Sequence, residues 1–150
     1  MLKYNDFLDS HKSWNNSSDL SEEIEFPHDS KIWGPGMWFN LHMEALSISD
    51  EIDISTITKM NNNYIKYLNR ILTNLPCDTC RHHATEYIKQ NSPEEYKDVI
   101  DENGKYIGLF MWTWIFHNTV NTRLKKPTIG FETAINIYED NGICTSDCGN

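Results

Sequence analysis

From Ile57 onward the chain places an apolar side chain every three or four residues, at Ile57, Met60, Tyr64, Leu68, Ile71 and Leu75, and then meets Pro76. An α-helix turns once per ~3.6 residues, so side chains at this spacing share one face, and that face has to be buried against another element. Ser55 is the expected N-cap of this helix. Its end is set by Pro76, because the residue before a proline is pushed out of the helical region. Strand signals are nearly absent from the rest of the chain, so the partners of this face are expected to be helices as well.

The other helices are read from their punctuation. Gly34-Pro35-Gly36 reads as a turn, after which a first helix carries Trp38, Leu41, His42 and Ala45 on one face. A third helix starts at or just after Cys77 and runs to Gln90, and Ser92-Pro93-Glu94-Glu95 has the N-cap, N1 proline and N3 glutamate of a short further turn. Beyond the Asn103-Gly104 turn, Tyr106 to Leu124 is an aromatic helix with Ile107, Phe110, Met111, Trp114, Asn118 and Asn121 on one face. Lys125-Lys126-Pro127 closes it, and Thr128 or Gly130 opens a last short helix through Phe131, Ala134, Ile135 and Tyr138. The expected class is all-α, a four-helix bundle plus a short fifth helix.

Length and charge narrow the function. One domain is expected from 150 residues. It divides into an acidic polar arm over 1–29, a helical domain over 30–140 and a tail over 141–150 that carries a cysteine pair. The net charge is −9, and the first 29 residues hold seven acids against two bases. Nucleic-acid binding depends on a basic patch that neutralises phosphates, and none is visible, so nucleic acid is not an expected partner. No apolar run reaches the ~18–20 residues of a membrane span. No signal or transit peptide is visible at the N-terminus, which points to a cytoplasmic location.

The four cysteines form two close pairs, Cys77/Cys80 and Cys144/Cys148. Without a leader, close pairs point to redox chemistry or zinc rather than to a disulfide framework. A two-residue spacer at a helix start brings two sulfurs within bonding reach, and the helix N-terminus favours a thiolate. The same cysteines could be half of a zinc site, with His82, His83 or the distal pair as further ligands. A thioredoxin is disfavoured, since its motif follows a strand. On these residues alone, a zinc-stabilised helical interaction module and a redox enzyme both stand.

Three ordered blocks add to this. Trp33-Gly34-Pro35-Gly36-Met37-Trp38-Phe39-Asn40-Leu41-His42, then Pro76-Cys77-Asp78-Thr79-Cys80, then Trp112 through Pro127 with His117-Asn118-Thr119-Val120-Asn121-Thr122-Arg123-Leu124-Lys125-Lys126, closely resemble the Erv/ALR family of FAD-linked sulfhydryl oxidases. The resemblance implies a helical bundle with FAD at its mouth, assembled as a homodimer. It also implies oxidation of dithiol protein clients with dioxygen as the final acceptor, giving hydrogen peroxide. Cofactor-binding positions implied by it are Trp33, Gly34, Trp38, His42, His117, Asn118, Asn121, Arg123, Lys125, Lys126 and Tyr138. Cys80 matches the flavin-proximal sulfur and Cys77 the sulfur that exchanges with incoming thiols, while Cys144 and Cys148 match a shuttle pair; all four are the implied catalytic residues, and no metal is implied. Asn118 and Asn121, if buried, need polar partners, which a flavin edge would supply. Two departures stand out: Ser47 occupies a position where the family often has an aromatic, and no cysteine lies between Cys80 and Cys144 to form the extra structural disulfide of some members. Members occur in mitochondria, the secretory pathway and large DNA viruses; the short Asn- and Ile-rich chain fits the viral group, placing it in host cytoplasm or the virion.

Overall fold

The computed structural model describes residues 29–139. They form α1 (Ser30–Ser49), α2 (Ile54–Leu72), α3 (Asp78–Gln90), a 3₁₀ turn at Pro93–Glu95, α4 (Gly108–Arg123) and the short α5 (Phe131–Tyr138). No strand occurs among the described residues; Ile100 and Tyr106 make one isolated antiparallel bridge. The all-α expectation holds, with four long helices and a short fifth. Helix α1 packs against α2, α4 and α5, while α2 carries α3, so α1 and α2 connect every other helix.

Local chemistry explains most of the helix boundaries. The α2 cap is Asp53 rather than the expected Ser55: its Oδ2 accepts both the Thr56 amide and the Thr56 hydroxyl, each at 2.8 Å, and its charge suits the positive end of the helix. Helix α1 starts before Gly34-Pro35-Gly36 instead of after it, with Asp29 capping the Lys31 amide at 2.9 Å. Pro35 removes only the bond to the Lys31 carbonyl, and both residues are exposed, so water can satisfy that oxygen. The turn reading of this triplet is therefore corrected. Ser92 caps the 3₁₀ turn as expected, accepting from the Glu94 amide.

The core is aromatic and aliphatic. Trp112, Tyr64, Phe110, Leu41, Leu68 and Leu72 are among its fully buried side chains. Their polar atoms are satisfied: Tyr64 Oη donates to the Leu41 carbonyl at 2.7 Å and Trp112 Nε1 to the Asn91 carbonyl at 2.8 Å. On α2 the buried face is centred on Ile57, Asn61, Tyr64, Ile65, Leu68 and Leu72, with Met60 and Ile71 at its margin. The buried face of α4 is Leu109, Phe110, Trp112, Thr113 and Phe116. The expected stripe through Met111, Trp114, Asn118 and Asn121 is thus displaced, because α4 also meets the α5 linker and a cavity.

Gly108 opens α4 where the chain crosses the 3₁₀ turn. A Cβ there would lie 1.8 Å from the Tyr96 carbonyl oxygen and 2.8 Å from the Val99 Cβ. Backbone cannot yield as a flexible side chain does. Gly108→Ala is expected to destabilise the fold by about 1–3 kcal/mol, the usual range for overpacking, read as a lowered Cm in urea unfolding of the full chain.

Candidate functional site

The linker after α2 delivers the proximal cysteines. Helix α2 ends at Leu72 with Thr73 as its C-cap, three residues short of the Leu75 end expected from Pro76; Leu75 is buried, and beyond Pro76 Cys77 becomes the N-cap of α3. Arg81 holds this bend by donating to the Leu75 carbonyl at 2.8 Å and by pairing with Asp78. Cys77 and Cys80 are joined by a disulfide, with their Cα atoms 5.1 Å apart. The Cys77 sulfur also accepts the Cys80 amide at 3.2 Å, so it lies on the free N–H groups and positive dipole end of α3. Cys80 packs against the hydrophobic core.

Facing it, α1 and α4 meet through rings. Trp38 stacks on His117 with centroids 4.0 Å apart and planes 4° from parallel. One turn on, His42 Nε2 lies 3.0 Å from His117 Nδ1, and Tyr138 of α5 stacks on His42 at 4.6 Å. Burial and the neighbouring His117 push the His42 pKa down to about 3; burial and Lys126 push that of His117 down to about 4. Both rings are neutral near pH 7.

Between the disulfide and this aromatic wall lies a cavity of about 700 Å³, within the ~300–1,000 Å³ of small-molecule sites. Cys77, Cys80, Trp33, Trp38, Phe116 and Tyr138 line it together with Leu72 and Leu75. Lys31, His83, Arg123 and Lys126 add a basic group of lining residues in a chain of net charge −9. Arg123 Nη1 reaches His83 Nδ1 at 2.6 Å, and the same nitrogen is 2.7 Å from the Thr79 carbonyl. One ring nitrogen serves one of these partners at a time; either way His83 links the disulfide helix to the end of α4. Lys126 is delivered by the α4 C-terminus, where its amide bonds the Asn121 carbonyl at 2.8 Å and that of Lys125 bonds the Thr122 carbonyl at 3.1 Å. This is a Schellman closure with Lys125 at φ 55° in the position that glycine usually takes.

A disulfide, flat aromatic walls and a cationic group thus converge on one space. The residues fit a planar redox-active ring system carrying an anionic tail. Residues 35–140 match the model of the Erv1 / Alr family. An African swine fever virus FAD-linked sulfhydryl oxidase is 35% identical over 117 residues, covering 78% of this chain and 88% of that protein. A putative FAD-linked sulfhydryl oxidase of Invertebrate iridescent virus 3 is 31% identical, covering 73% of this chain and 68% of the relative. The yeast Erv1 core crystal structure shares the fold at a TM-score of 0.63 and 22% identity, covering 84% of this chain and 96% of that one. This chain belongs to the Erv1/Alr family.

Most positions expected from the Erv/ALR resemblance gather at the cavity: Trp33, Gly34, Trp38, His117, Asn121, Arg123, Lys126 and Tyr138 line it with Cys77 and Cys80. Three do not. His42 lies behind His117, 1% exposed. Asn118 turns to the α5 linker, donating to the Ile129 carbonyl at 2.8 Å and accepting the Ile129 amide at 3.1 Å. Its amide therefore has protein partners and does not need a flavin edge. Lys125 is spent on the helix closure. The departure at Ser47 falls on an exposed residue whose hydroxyl bonds the Glu44 carbonyl, away from the lining. His83 was not singled out as a cavity residue, although its place three residues beyond Cys80 puts it on the same helical face. Cys144 and Cys148 lie outside the described residues, as do the arm and tail. Among the described residues no helix is long and apolar enough to cross a membrane.

The histidine pair gives the Erv1/Alr fold here a pH dependence. Unfolded, each imidazole titrates near its ordinary 6.5; folded, they titrate at about 3 and about 4. Between these values the unfolded chain binds more protons, so stability is fully present above about pH 6.5 and is lost as pH falls through that window. The melting temperature of the full chain is expected to drop between pH 7.5 and 5, and His42→Gln to shrink that drop. Coincident slopes for the two proteins would refute the assignment.

Proposed function

We propose that this protein is a FAD-dependent sulfhydryl oxidase that introduces disulfides into dithiol protein clients and passes the electrons to dioxygen, forming hydrogen peroxide. The observation that carries the reading is the opening of the Cys77–Cys80 disulfide onto the same cavity as the aromatic wall and the cations. FAD, when bound, supplies the two-electron acceptor for the reduced pair and the donor to dioxygen. Trp33, Trp38, His117 and Tyr138 would hold its rings, with Arg123 and Lys126 offering charge to its diphosphate.

The chain's own chemistry is thiol–disulfide exchange. A thiolate attacks Cys77 Sγ, the bond between Cys77 and Cys80 breaks, and Cys80 leaves as a thiolate. The second thiol of the donor then attacks the mixed disulfide. The donor gains one disulfide, and Cys77 and Cys80 are left as a dithiol carrying two electrons. The α3 N-terminus favours the thiolate form of Cys77 and so speeds its departure in that second step. The family resemblance makes Cys77 the exchanging sulfur, and the packing of Cys80 against the core agrees with an interior role for Cys80. Cys144–Cys148 acts before this pair, accepting the client's electrons and passing them to Cys77–Cys80. The working unit is a homodimer.

The rival reading, a zinc-held interaction module, needs Cys77 and Cys80 as thiolate ligands, whereas here they are joined to each other by a disulfide. The purified full chain is expected to be yellow, to bleach on anaerobic DTT and to recover in air with release of peroxide. Cys77→Ser and Cys80→Ser are expected to reduce DTT-driven oxygen uptake to background. Cys144→Ser is expected to keep DTT oxidation and slow a reduced protein client severalfold; a client rate equal to wild type would remove the shuttle. A colourless chain with one equivalent of zinc would overturn the whole reading.

A further inference from the structure

His42 is buried and does not line the cavity, yet it shares a hydrogen bond with a residue that does. We propose that His42 is a positioning residue: its Nε2–H donates to His117 Nδ1 and holds His117 in the tautomer that presents an Nε2–H donor to the ligand.

The argument starts from the 3.0 Å separation of the two ring nitrogens. Neutral imidazole carries one N–H and one bare lone pair. With both facing nitrogens bare, lone pairs would oppose each other; with both protonated, hydrogens would collide. One proton therefore lies between the rings, and two arrangements remain. If His117 donated, the only proton of His42 would be on Nδ1, which is buried and has no partner among the described residues. If His42 donates, Nδ1 is left with a shielded lone pair instead. Among buried backbone groups an orphaned N–H is rarer than an under-used acceptor, and the same preference applied to the ring favours the second arrangement.

The surroundings then fix what His117 can do. The ring plane of His117 is held by Trp38, 4.0 Å away and 4° from parallel. That of His42 is packed between Tyr138 at 4.6 Å and the edge of Phe110 at 5.5 Å. The proximity of Lys126 and the burial of both rings keep the pair from becoming imidazolium. His117 Nε2 has no partner among the described residues. With Nδ1 occupied as an acceptor, Nε2 carries the hydrogen and selects a ligand with an sp² nitrogen or carbonyl oxygen on a heteroaromatic ring. FAD belongs to that class, and the ligand half of this inference rests on the function proposed above; the tautomer does not.

Long-range ¹H–¹⁵N correlation spectra of the full chain as purified decide it. Both His42 and His117 are expected as Nε2–H tautomers in the wild type. His42→Leu removes the donor and is expected to release His117 into a mixture. His42→Gln, whose amide nitrogen reaches the position of Nε2, is expected to restore the single form. FAD released on dilution of the loaded chain, read by its fluorescence, is expected to match wild type in H42Q and to show roughly three- to tenfold weaker retention in H42L. An Nδ1–H tautomer of wild-type His117, or an unchanged spectrum in H42L, would overturn the positioning role. Equal retention in H42L would overturn its bearing on the ligand. If H42L does not fold, the wild-type spectrum still decides the tautomer. A wild type that binds no FAD would sink the proposed function and leave the tautomer assignment standing.

Discussion

A hydrogen bond between two neutral imidazoles, His42 Nε2 and His117 Nδ1 at 3.0 Å, fastens α1 to α4 beside one wall of the cavity. The bond sits where three helices meet: Trp38 and His42 come from α1, His117 from α4 and Tyr138 from α5. An apolar contact at this point would hold the helices together as well, but it would leave ring orientations free. Stacking at 4.0 Å and 4.6 Å, combined with one directional bond, fixes them. Charged imidazoles are expensive to bury, which is why both rings are held uncharged and share one hydrogen bond.

Charge is distributed to the same end. The chain is acidic overall, yet Lys31, Arg123 and Lys126 converge on the cavity with His83. Side chains of that sign gathered in an apolar-walled space repel one another, and the field lines concentrate where a polyanionic tail would relieve them. The backbone contributes too: Lys126 is aimed by a helix closure that forces Lys125 into a left-handed conformation. A non-glycine residue in that conformation costs about 1–2 kcal/mol, which the two closing hydrogen bonds offset.

Much of this was legible from residue order because the signals were local. The α2 stripe, the stop at Pro76 and the Ser92 cap each depend on neighbours within one or two turns, and each is found where expected or within two or three residues of it. The readings that moved are those decided by tertiary surroundings. Gly34-Pro35-Gly36 looks like a break, but the exposed carbonyl that Pro35 strands can be met by water, so the helix runs through. Asn118 and Asn121 look equivalent on a helical wheel; only the arrival of Ile129 above α4 separates the one that clamps a linker from the one that lines the cavity. His42 and Trp38 likewise share a face, and the depth that turns one into a support and the other into a wall is set by α5, which no short-range pattern reports.

The punctuation around Pro76 shows how a fold constraint becomes a chemical one. A helix ending at Leu72 and a buried Leu75 leave too little chain for anything but a sharp bend, and the next helix must then begin at Cys77. An N-cap is the one helical position whose side chain faces unpaired amides, so the sulfur there gains a donor at 3.2 Å and a favourable dipole without any charged neighbour being required. Three residues later Cys80 has turned onto the face that meets the core and the cavity. One sulfur therefore lies on the electropositive end of the helix and its partner against the apolar wall. That asymmetry between two bonded cysteines follows from their places on α3, one at its cap and the other three residues on, where the helix has turned towards the core.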